Sequence, residues 1–439
     1  MTRQDRAQQV VDELVGRLTD PQEVAATTVR RAEAVSDPGA RAQAWKADSL
    51  ARGYPGLTVL WAELGVDDDA SRRRAHRYLE AATVACRTEG FTGMFDGLGA
   101  LAGATRVAGH QNGDYRSLAT KVDAHAVSYA MHLIAVHRAA RQAGRPTVSS
   151  VVDAMYGLAG VGRHLLHRPE HHATVRDILS CLVSLDETFD WQGYRVPGWW
   201  YDTSAINDFG PDYHAGSVTF GLAHGLAGVI AVLAQAQERG VQVAGQKQAL
   251  ENMVGGLLEQ REFDDAGAYW PAHLPLARWL EPPGRRKQRP LPARPSWCHG
   301  TPGVAMAVHR AAVTARRADW EQAAVESMKA MLLRPFGDWP MADDALCHGW
   351  SGVLFTVDTL ARETGDTHLA VGRDRLVDIV LASFKPDTPF GYVYSRPVVG
   401  GEFDLPGLLE GTAGIALVLH AYATKSAPTT EWDTCFLLR

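Results

Sequence analysis

Two cysteine–histidine pairs stand at matched positions in this chain and could bind a metal. Cys298-His299 lies within SWCHGTPG, and Cys347-His348 lies within ALCHGWSG. Zinc binds cysteine thiolate and histidine nitrogen, and three protein ligands with one open position are typical of a catalytic site. The spacing leaves open a catalytic metal, a four-ligand structural metal and no metal at all. It also leaves open which of the two histidines is a ligand.

A third histidine, His224 in GLAHGLAG, holds the matched position of the preceding repeat without a cysteine beside it. A histidine near a metal suits general acid–base catalysis, because its pKa lies close to neutrality. The alternative is a core histidine that bonds a backbone carbonyl. Asp153 and Arg294 precede the glycines of their own repeats. We expect both on loops at the same end of the fold, where either could also be a surface or capping residue.

These motifs belong to a repeat that gives them a common position. A glycine stands three residues before a second small residue, and an apolar segment with helical spacing follows each copy. The seven pairs are Gly53/Gly56, Gly97/Ala100, Gly157/Gly160, Gly225/Gly228, Gly300/Gly303, Gly349/Gly352 and Gly411/Gly414. Equivalent positions of a repeat lie at equivalent places in space. The residues just before the first glycine, Asp96 and Glu410 included, are therefore expected at one end of the fold, although a carboxylate there is also favoured by the helix dipole.

The repeat predicts an all-α fold in which each unit is an outer helix, a loop and an inner helix. The first and last repeats are as apolar as the middle ones, which favours a closed ring over an open array with polar ends. We predict a single domain over residues 1–439, an α/α toroid of seven inner and seven outer helices, with repeats from about 49 to 420. Insert loops interrupt it at 186–220 and 262–297. Such loops commonly recognise substrate, although the proline-rich basic segment 282–293 could equally be a solvated linker.

Composition excludes several classes of protein. The chain has 439 residues and a formal net charge of −6, so no global basic field points to nucleic acid or anionic membranes. Five cysteines and no recognisable signal peptide favour a reducing cytoplasm over a disulfide framework. The uncharged stretch 218–236 has transmembrane length. Its histidine and glycines favour instead a buried inner helix, so we do not expect an integral membrane protein.

The order of the motifs resembles that of the lanthionine synthetase C-like family, the cyclases of lanthipeptide biosynthesis. The resemblance runs from GYPGL at 53–57 to GLLEGTAGIALVL at 407–419, and its most specific parts are GLAHGLAG, RPSWCHGTPG and LCHGWSG. The segments VVDAMYGLAG and PGWWYD are similar as well. The chain has no kinase-like glycine loop or lyase-sized extension. It therefore resembles the stand-alone cyclase of a two-enzyme system.

Family members are α/α toroids that hold one zinc ion, which agrees with the repeat. Carried over to matching positions, the resemblance makes Cys298, Cys347 and His348 the zinc ligands. His299 then lines the site.

The resemblance also assigns the catalytic residues. It makes His224 the principal acid–base residue and places Asp153 and Arg294 around the reacting centre. In the implied reaction, His224 would deliver a proton to the α-carbon and Arg294 would stabilise the oxyanion. Asp153 could orient or charge His224, or take the thiol proton, and the sequence does not choose between these roles.

The implied reaction is addition of a peptide cysteine thiol to a dehydroalanine or dehydrobutyrine of the same peptide, which forms a thioether ring. The implied partners are a dehydrated precursor peptide with its leader and a separate dehydratase, in the cytoplasm or a membrane-associated complex. Rival hypotheses are addition of glutathione in trans and a non-catalytic scaffold that binds leader and dehydratase. A toroid glycosidase would need a carboxylate pair, for which Asp96 and Glu410 are the candidates.

Overall fold

The computed structural model describes residues 1–86, 90–110, 113–202, 210–396 and 401–439, and most of them are helical. The helices are α1 (Arg3–Gly16), α2 (Pro21–Ala32), α3 (Pro38–Gln43), α4 (Tyr54–Leu64), α5 (Asp69–Ala85), α6 (Gly97–Ala108), α7 (Arg116–Gln142), α8 (Ser149–Val152), α9 (Leu158–Leu165), α10 (His172–Val183), α11 (Leu226–Glu238), α12 (Gln246–Glu259), α13 (Leu276–Trp279), α14 (Thr301–Ala315), α15 (Ala318–Leu333), α16 (Trp350–Thr364), α17 (Thr367–Ala382) and α18 (Thr412–Thr424). The short strands are β1 (Phe189–Trp191), β2 (Tyr194–Val196), β3 (Ser217–Thr219), β4 (Glu262–Asp264), β5 (Gly267–Tyr269), β6 (His273–Pro275), β7 (Tyr394–Arg396) and β8 (Gly401–Phe403).

Seven helices follow the repeat glycines and form the inner set: α4, α6, α9, α11, α14, α16 and α18. They are buried on nearly every side. In α11 every residue from Leu226 to Ala236 is buried, and in α14 every residue from Thr301 to Ala312. A helix that is apolar all round must be surrounded by other elements. The glycine repeat therefore marks the helices that build the core.

Within the described residues, seven further helices bury only one face and form the outer set: α1, α5, α7, α10, α12, α15 and α17. In α5 the buried residues recur every three or four positions, at Ser71, Ala75, Tyr78, Leu79 and Ala82. This spacing places them on one side of a helix and leaves the other side to solvent. The seven inner and seven outer helices agree with the prediction from the sequence.

The second glycine of the repeat is required by a close approach of the backbone. At the third helical position, an added Cβ would lie 1.9 to 2.5 Å from the carbonyl oxygen six residues earlier, which no side chain tolerates. The glycines with this contact are Gly56, Gly228, Gly303, Gly352 and Gly414. The loop before each inner helix is thus pressed against the first turn of that helix, which fixes where the residues at the end of the loop lie.

The same contact corrects the register of the second repeat. Helix α6 takes Asp96 as its N-cap, and a Cβ on Gly99 would lie 1.8 Å from the Gly93 carbonyl oxygen. The repeat pair is therefore Asp96/Gly99, one residue before the pair Gly97/Ala100 read from the sequence. Asp96 stands where the other repeats have their first glycine, although a Cβ on Gly53, Gly225 or Gly411 would itself lie 2.0 to 2.4 Å from a carbonyl oxygen.

Contacts divide the described residues into two compact units, 1–125 with 340–433 and 126–339 with 434–439. In the first unit the inner helices pack in the order α16, α18, α4, α6, and α1 covers α18. In the second unit the order is α9, α11, α14. The last repeat therefore packs against the first, a contact that a closed ring requires. The single domain over 1–439 stays a prediction.

Both inserts are built on short antiparallel strands in the second unit. Strands β1 and β2 form a hairpin in the first insert, and β4 and β5 form one in the second. Strand β3 of the first insert pairs with β6 of the second, with Ser217 opposite Pro275. Residues 203–209 of the first insert lie outside the described residues. The two inserts are thus joined to each other just before the segment that carries His224.

The stretch 218–236 is not a membrane span. Val218 and Thr219 belong to β3, and the apolar run from Leu226 onward is the buried helix α11. Among the described residues, no helix is both long and apolar enough to cross a bilayer.

Candidate active site

The candidate site residues lie immediately before inner helices. His224 precedes Gly225, the N-cap of α11; Cys298 and His299 precede the N-cap of α14; Cys347 and His348 precede the N-cap of α16. Each of these N-caps is a glycine that offers no side chain to the first amide groups of its helix. The partial positive charge at a helix N-terminus favours anionic groups placed there, thiolates included.

Cys298, Cys347 and His348 form a group that could hold a metal ion. Each offers one ligand atom, and the three atoms lie within 4.8 Å of one another. Around zinc, with Zn–S near 2.3 Å, tetrahedral sulfurs are about 3.8 Å apart. The three ligand atoms would need to close by no more than about 1 Å. The residues present fit a zinc ion with two thiolates and one imidazole.

The surroundings of His348 suit a metal ligand. Its Nε2 lies 2.9 Å from the Tyr394 hydroxyl and 3.6 Å from a carboxylate oxygen of Asp343. Metal-binding histidines usually engage their second ring nitrogen in a hydrogen bond of this kind, which fixes the ring. Since Nε2 is engaged, Nδ1 is the nitrogen that His348 would offer to a metal. On the cysteine side, Cys298 Sγ lies 3.5 Å from the Ser296 hydroxyl.

His224 and Asp153 form an acid–base pair. His224 Nδ1 lies 2.7 Å from Asp153 Oδ2, and the carboxylate is 1% exposed. The other oxygen, Oδ1, accepts the backbone N–H groups of Met155, Tyr156 and Gly157 at 2.7 to 3.0 Å. These three hydrogen bonds hold the Asp153 side chain in place beside His224. The aspartate therefore fixes both the ring orientation and the tautomer of His224.

Opposing effects set the pKa of His224. Burial alone would lower it, but the hydrogen bond and negative charge of Asp153, aided by the Cys298 thiolate, outweigh burial and raise the pKa above its ordinary value. The ring is therefore more protonated near neutral pH than an ordinary histidine. It also keeps 32% of its side-chain surface exposed, so it can reach a substrate. These are the properties of a proton donor.

Aromatic rings border His224 on two sides. Tyr156 stacks on it with ring centroids 6.0 Å apart, and His299 stacks on it at 5.6 Å. His273 lies 5.6 Å from His299, and its Nδ1 is 3.0 Å from the Thr219 hydroxyl. Burial, together with the charges of the two other histidines, lowers the pKa of His273 to about 3. His273 is therefore a neutral side chain that lines this site.

Arg294 is half-buried on the loop that leads to Cys298. Its guanidinium makes no hydrogen bond or ion pair within the ranges that the structure describes. An uncommitted, partly desolvated cation this close in sequence to Cys298 is available to bind an anion or a developing negative charge.

The carboxylates of the first unit are committed to cations. Glu410 forms a salt bridge with Arg52, and both side chains are less than one-fifth exposed. Asp96 lies 3.0 Å from Lys46 Nζ. Each carboxylate is therefore paired with a neighbouring cation.

The sequence analysis did not identify several residues that contact the predicted site residues. Tyr156 stands just before a repeat glycine, as His224 does, so the repeat carried a signal for it. Asp343, Tyr394 and His273 lie on connecting segments, where neither periodicity nor spacing marks them. Their contacts depend on how those segments fold back beside the inner helices.

Comparison with known proteins identifies the family and supports the fold. Residues 44–437 match the family model described as lanthionine synthetase C-like protein. Among solved structures the chain is similar to one titled "Nisin cyclase", with a TM-score of 0.73 and 18% sequence identity over 95% of this chain and 96% of that chain. At that identity the likeness shows the fold, and it confirms the predicted α/α toroid. The chain belongs to the lanthionine synthetase C-like family.

Proposed function

We propose that this protein is a zinc-dependent lanthionine synthetase, a stand-alone lanthipeptide cyclase. It adds cysteine thiols of a ribosomally made peptide to dehydroalanine or dehydrobutyrine residues of the same peptide and so forms (methyl)lanthionine rings. The observation that carries this proposal is the His224–Asp153 pair beside Cys298, which is itself one of three clustered metal-binding side chains. A thiol activator and a proton donor are the two groups that the addition requires.

Zinc held by Cys298, Cys347 and His348 would supply a Lewis acid that favours the thiolate form of the substrate cysteine. Attack forms a C–S bond at the β-carbon, and the π electrons move to the adjacent amide oxygen. The Arg294 guanidinium is the candidate to stabilise that oxyanion.

His224 then completes the addition. Its pKa is raised by Asp153, so its protonated form delivers a proton to the α-carbon, and the amide carbonyl re-forms. The thiol proton replaces the one that His224 has lost, so the net change is addition of S–H across the double bond. Because the proton comes from a fixed direction, this residue would also set the configuration at the α-carbon.

The partners follow from the substrate. We propose a dehydrated precursor peptide with its leader as substrate, a separate dehydratase as the enzyme that supplies it, and the cytoplasm or a membrane-associated complex as the location.

Three alternative functions can be compared with the geometry of the site. Glutathione could replace the peptide thiol, and the same residues would then perform addition in trans. A non-catalytic scaffold would have no use for a buried aspartate that raises the pKa of an accessible histidine. A glycosidase is disfavoured because its candidate carboxylates, Asp96 and Glu410, are each ion-paired, whereas such enzymes need one protonated carboxylic acid.

Mass spectrometry of a synthetic dehydrated peptide, incubated with the purified protein, tests the proposal. Ring closure leaves the mass unchanged but removes a thiol that an alkylating reagent would detect. Loss of alkylation without added mass supports the cyclase. Addition of glutathione mass in preference to ring closure would replace it with the trans reaction, and no thiol consumption at all with zinc bound would favour the scaffold.

A further inference from the structure

The proline-rich segment 282–293, hereafter the basic loop, is anchored by a buried ion pair. Arg286 forms a salt bridge with Glu262, and both side chains are 1% exposed. Arg286 also donates to Gln260 Oε1 at 2.6 Å and to the Arg278 carbonyl at 3.0 Å. A charge removed from water is costly unless it is fully paired. The loop is therefore fixed through its centre to β4 and the end of α12.

Further contacts hold the rest of the basic loop. The Arg278 guanidinium donates to the carbonyl and side-chain oxygens of Gln288 at 2.6 and 2.8 Å. The Tyr269 hydroxyl donates to the Pro290 carbonyl at 2.7 Å. Prolines restrict the backbone further by fixing φ. The solvated linker left open by the sequence is thus not what the structure contains.

The fixed loop carries three uncommitted cations. Arg285, Lys287 and Arg289 are exposed, and their side chains make no hydrogen bond or ion pair in the described part of the chain. The nearby carboxylate of Glu281 bonds the backbone N–H of Lys287 instead of its ammonium group. Two of the three cations flank the buried Arg286, so its anchoring holds them at the surface. A local positive patch on a chain with net charge −6 is suited to an anionic partner.

The patch leads directly into the candidate site. The Ala293 N–H bonds the Trp270 carbonyl at 3.1 Å, Arg294 follows, and Cys298 comes four residues later. Eight residues lie between Arg289 and Cys298, so the two are at most about 32 Å apart along the chain. A peptide held at the patch would keep its remaining residues at high effective concentration near the site.

We propose that Arg285, Lys287 and Arg289 bind an acidic segment of the peptide substrate, outside the residues that react. The proposal rests on the proposed function for the identity of the peptide. A surface fixed in advance loses little entropy when it binds a flexible chain. Separated carboxylates along a flexible peptide can match the separated cations of the basic loop.

Fluorescence anisotropy with the full-length protein tests the proposal. The probes are a fluorescein-labelled peptide rich in Asp and Glu and the same sequence with Asn and Gln in their places. The triple variant Arg285→Gln/Lys287→Gln/Arg289→Gln removes the patch. A matched control makes the same change in charge at exposed helical positions of the same unit: Arg138→Gln/Arg176→Gln/Lys247→Gln.

We expect the acidic peptide to bind, the amide version to bind at least tenfold more weakly, and the patch variant to lose about tenfold in affinity. The control variant should stay within about twofold of wild type. Equal losses in both variants would overturn the proposal, because net charge alone would then explain binding. So would equally tight binding of a single-stranded oligonucleotide or of anionic vesicles, since the partner would belong to another class.

A kinetic arm separates this proposal from the proposed function. With a dehydrated peptide bearing an acidic segment, the patch variant should raise KM about tenfold and keep kcat, whereas the control should change neither. If the patch variant cyclises the peptide with the KM and kcat of wild type, the proposed role of the basic loop is refuted, and the proposed cyclase function is not affected. Binding of the acidic peptide by a protein that forms no rings would refute the cyclase and support the loop.

Discussion

Replacing Asp153 by asparagine tests how His224 is held as a proton donor. Asparagine keeps an oxygen for the three backbone N–H groups that Oδ1 accepts, so the loop should stay folded. It presents an N–H₂ group where Oδ2 meets His224 Nδ1 at 2.7 Å. His224 must then accept at Nδ1, which removes the support for its protonated form.

The magnitude follows from the loss of one hydrogen bond to a charged partner. Such bonds contribute about 1.5–3 kcal/mol, which is a factor of about ten to a hundred in an equilibrium constant. Because His224 is partly exposed, solvent screening favours the lower half of that range. At a pH above the lowered pKa, the protonated fraction and the rate should fall about tenfold, and by up to about a hundredfold.

The assay is the initial rate of thiol loss from a dehydrated peptide across a range of pH, with bound zinc measured in parallel. His224 is the acid in the proposed mechanism, so activity is present below its pKa and disappears as pH rises through it. Since Asp153 raises that pKa, the variant should lose activity at a lower pH than wild type. Zinc content and melting temperature should change little.

The matched control is Asp366→Asn. Asp366 also accepts backbone N–H groups at a helix start, from His368 and Leu369, but it has no site histidine beside it. An Asp153→Asn variant with the rate and pH profile of wild type would refute the role given to this pair. So would an equal loss of rate in both variants.

Three further predictions concern stability. Gly414→Ala should lower the free energy of unfolding by about 1–3 kcal/mol, because its Cβ would meet a backbone carbonyl. Gly255→Ala has open space around it and should raise the free energy of unfolding by about 0.5–1 kcal/mol. Chemical denaturation measures both. Arg286→Leu should cost about 3–5 kcal/mol by leaving Glu262 buried and unpaired, and adding Glu262→Leu should restore most of that loss in thermal unfolding. Burial raises the pKa of Asp404 to about 6, so its pKa is higher in the folded than in the unfolded protein. Stability therefore falls as pH rises from about 4 to 6. Asp404→Asn should flatten this pH dependence and add up to about 3 kcal/mol to the free energy of unfolding at pH 8.

Each of these has a contrary outcome. Equal effects of the two glycine variants would mean that the close approach does not restrict the repeat. A double leucine variant no more stable than Arg286→Leu alone would mean that the ion pair is not what fixes the basic loop. An Asp404→Asn variant with the pH dependence of wild type would place that pH dependence elsewhere.

The repeat made the fold predictable from the sequence. A glycine at a fixed place before each apolar helix is required by local backbone contacts, so it survives as a visible period. The same period placed Cys298, Cys347 and His224 before inner helices. It failed by one residue at α6, because Asp96 replaces the first glycine there, and the adjacent Gly97 has a φ of 54° that favours glycine for a separate reason.

Connecting segments were harder to interpret, for a physical reason. The pairing of β3 with β6 and the anchoring of Arg286 depend on contacts between residues far apart in sequence. Composition described 282–293 as basic and proline-rich, which fits both a free linker and an anchored loop. The contacts that separate the two, above all the buried pair of Arg286 with Glu262, are made with residues outside the segment.

Zinc content of the purified protein tests the central claim most directly, measured beside Cys298→Ala and Cys347→Ala. The proposal predicts one zinc per chain in wild type, loss of zinc and of ring formation in both variants, and helical circular dichroism that is retained throughout. Folded wild-type protein that forms rings after its metal has been removed, or that takes up no zinc when it is supplied, would contradict the account.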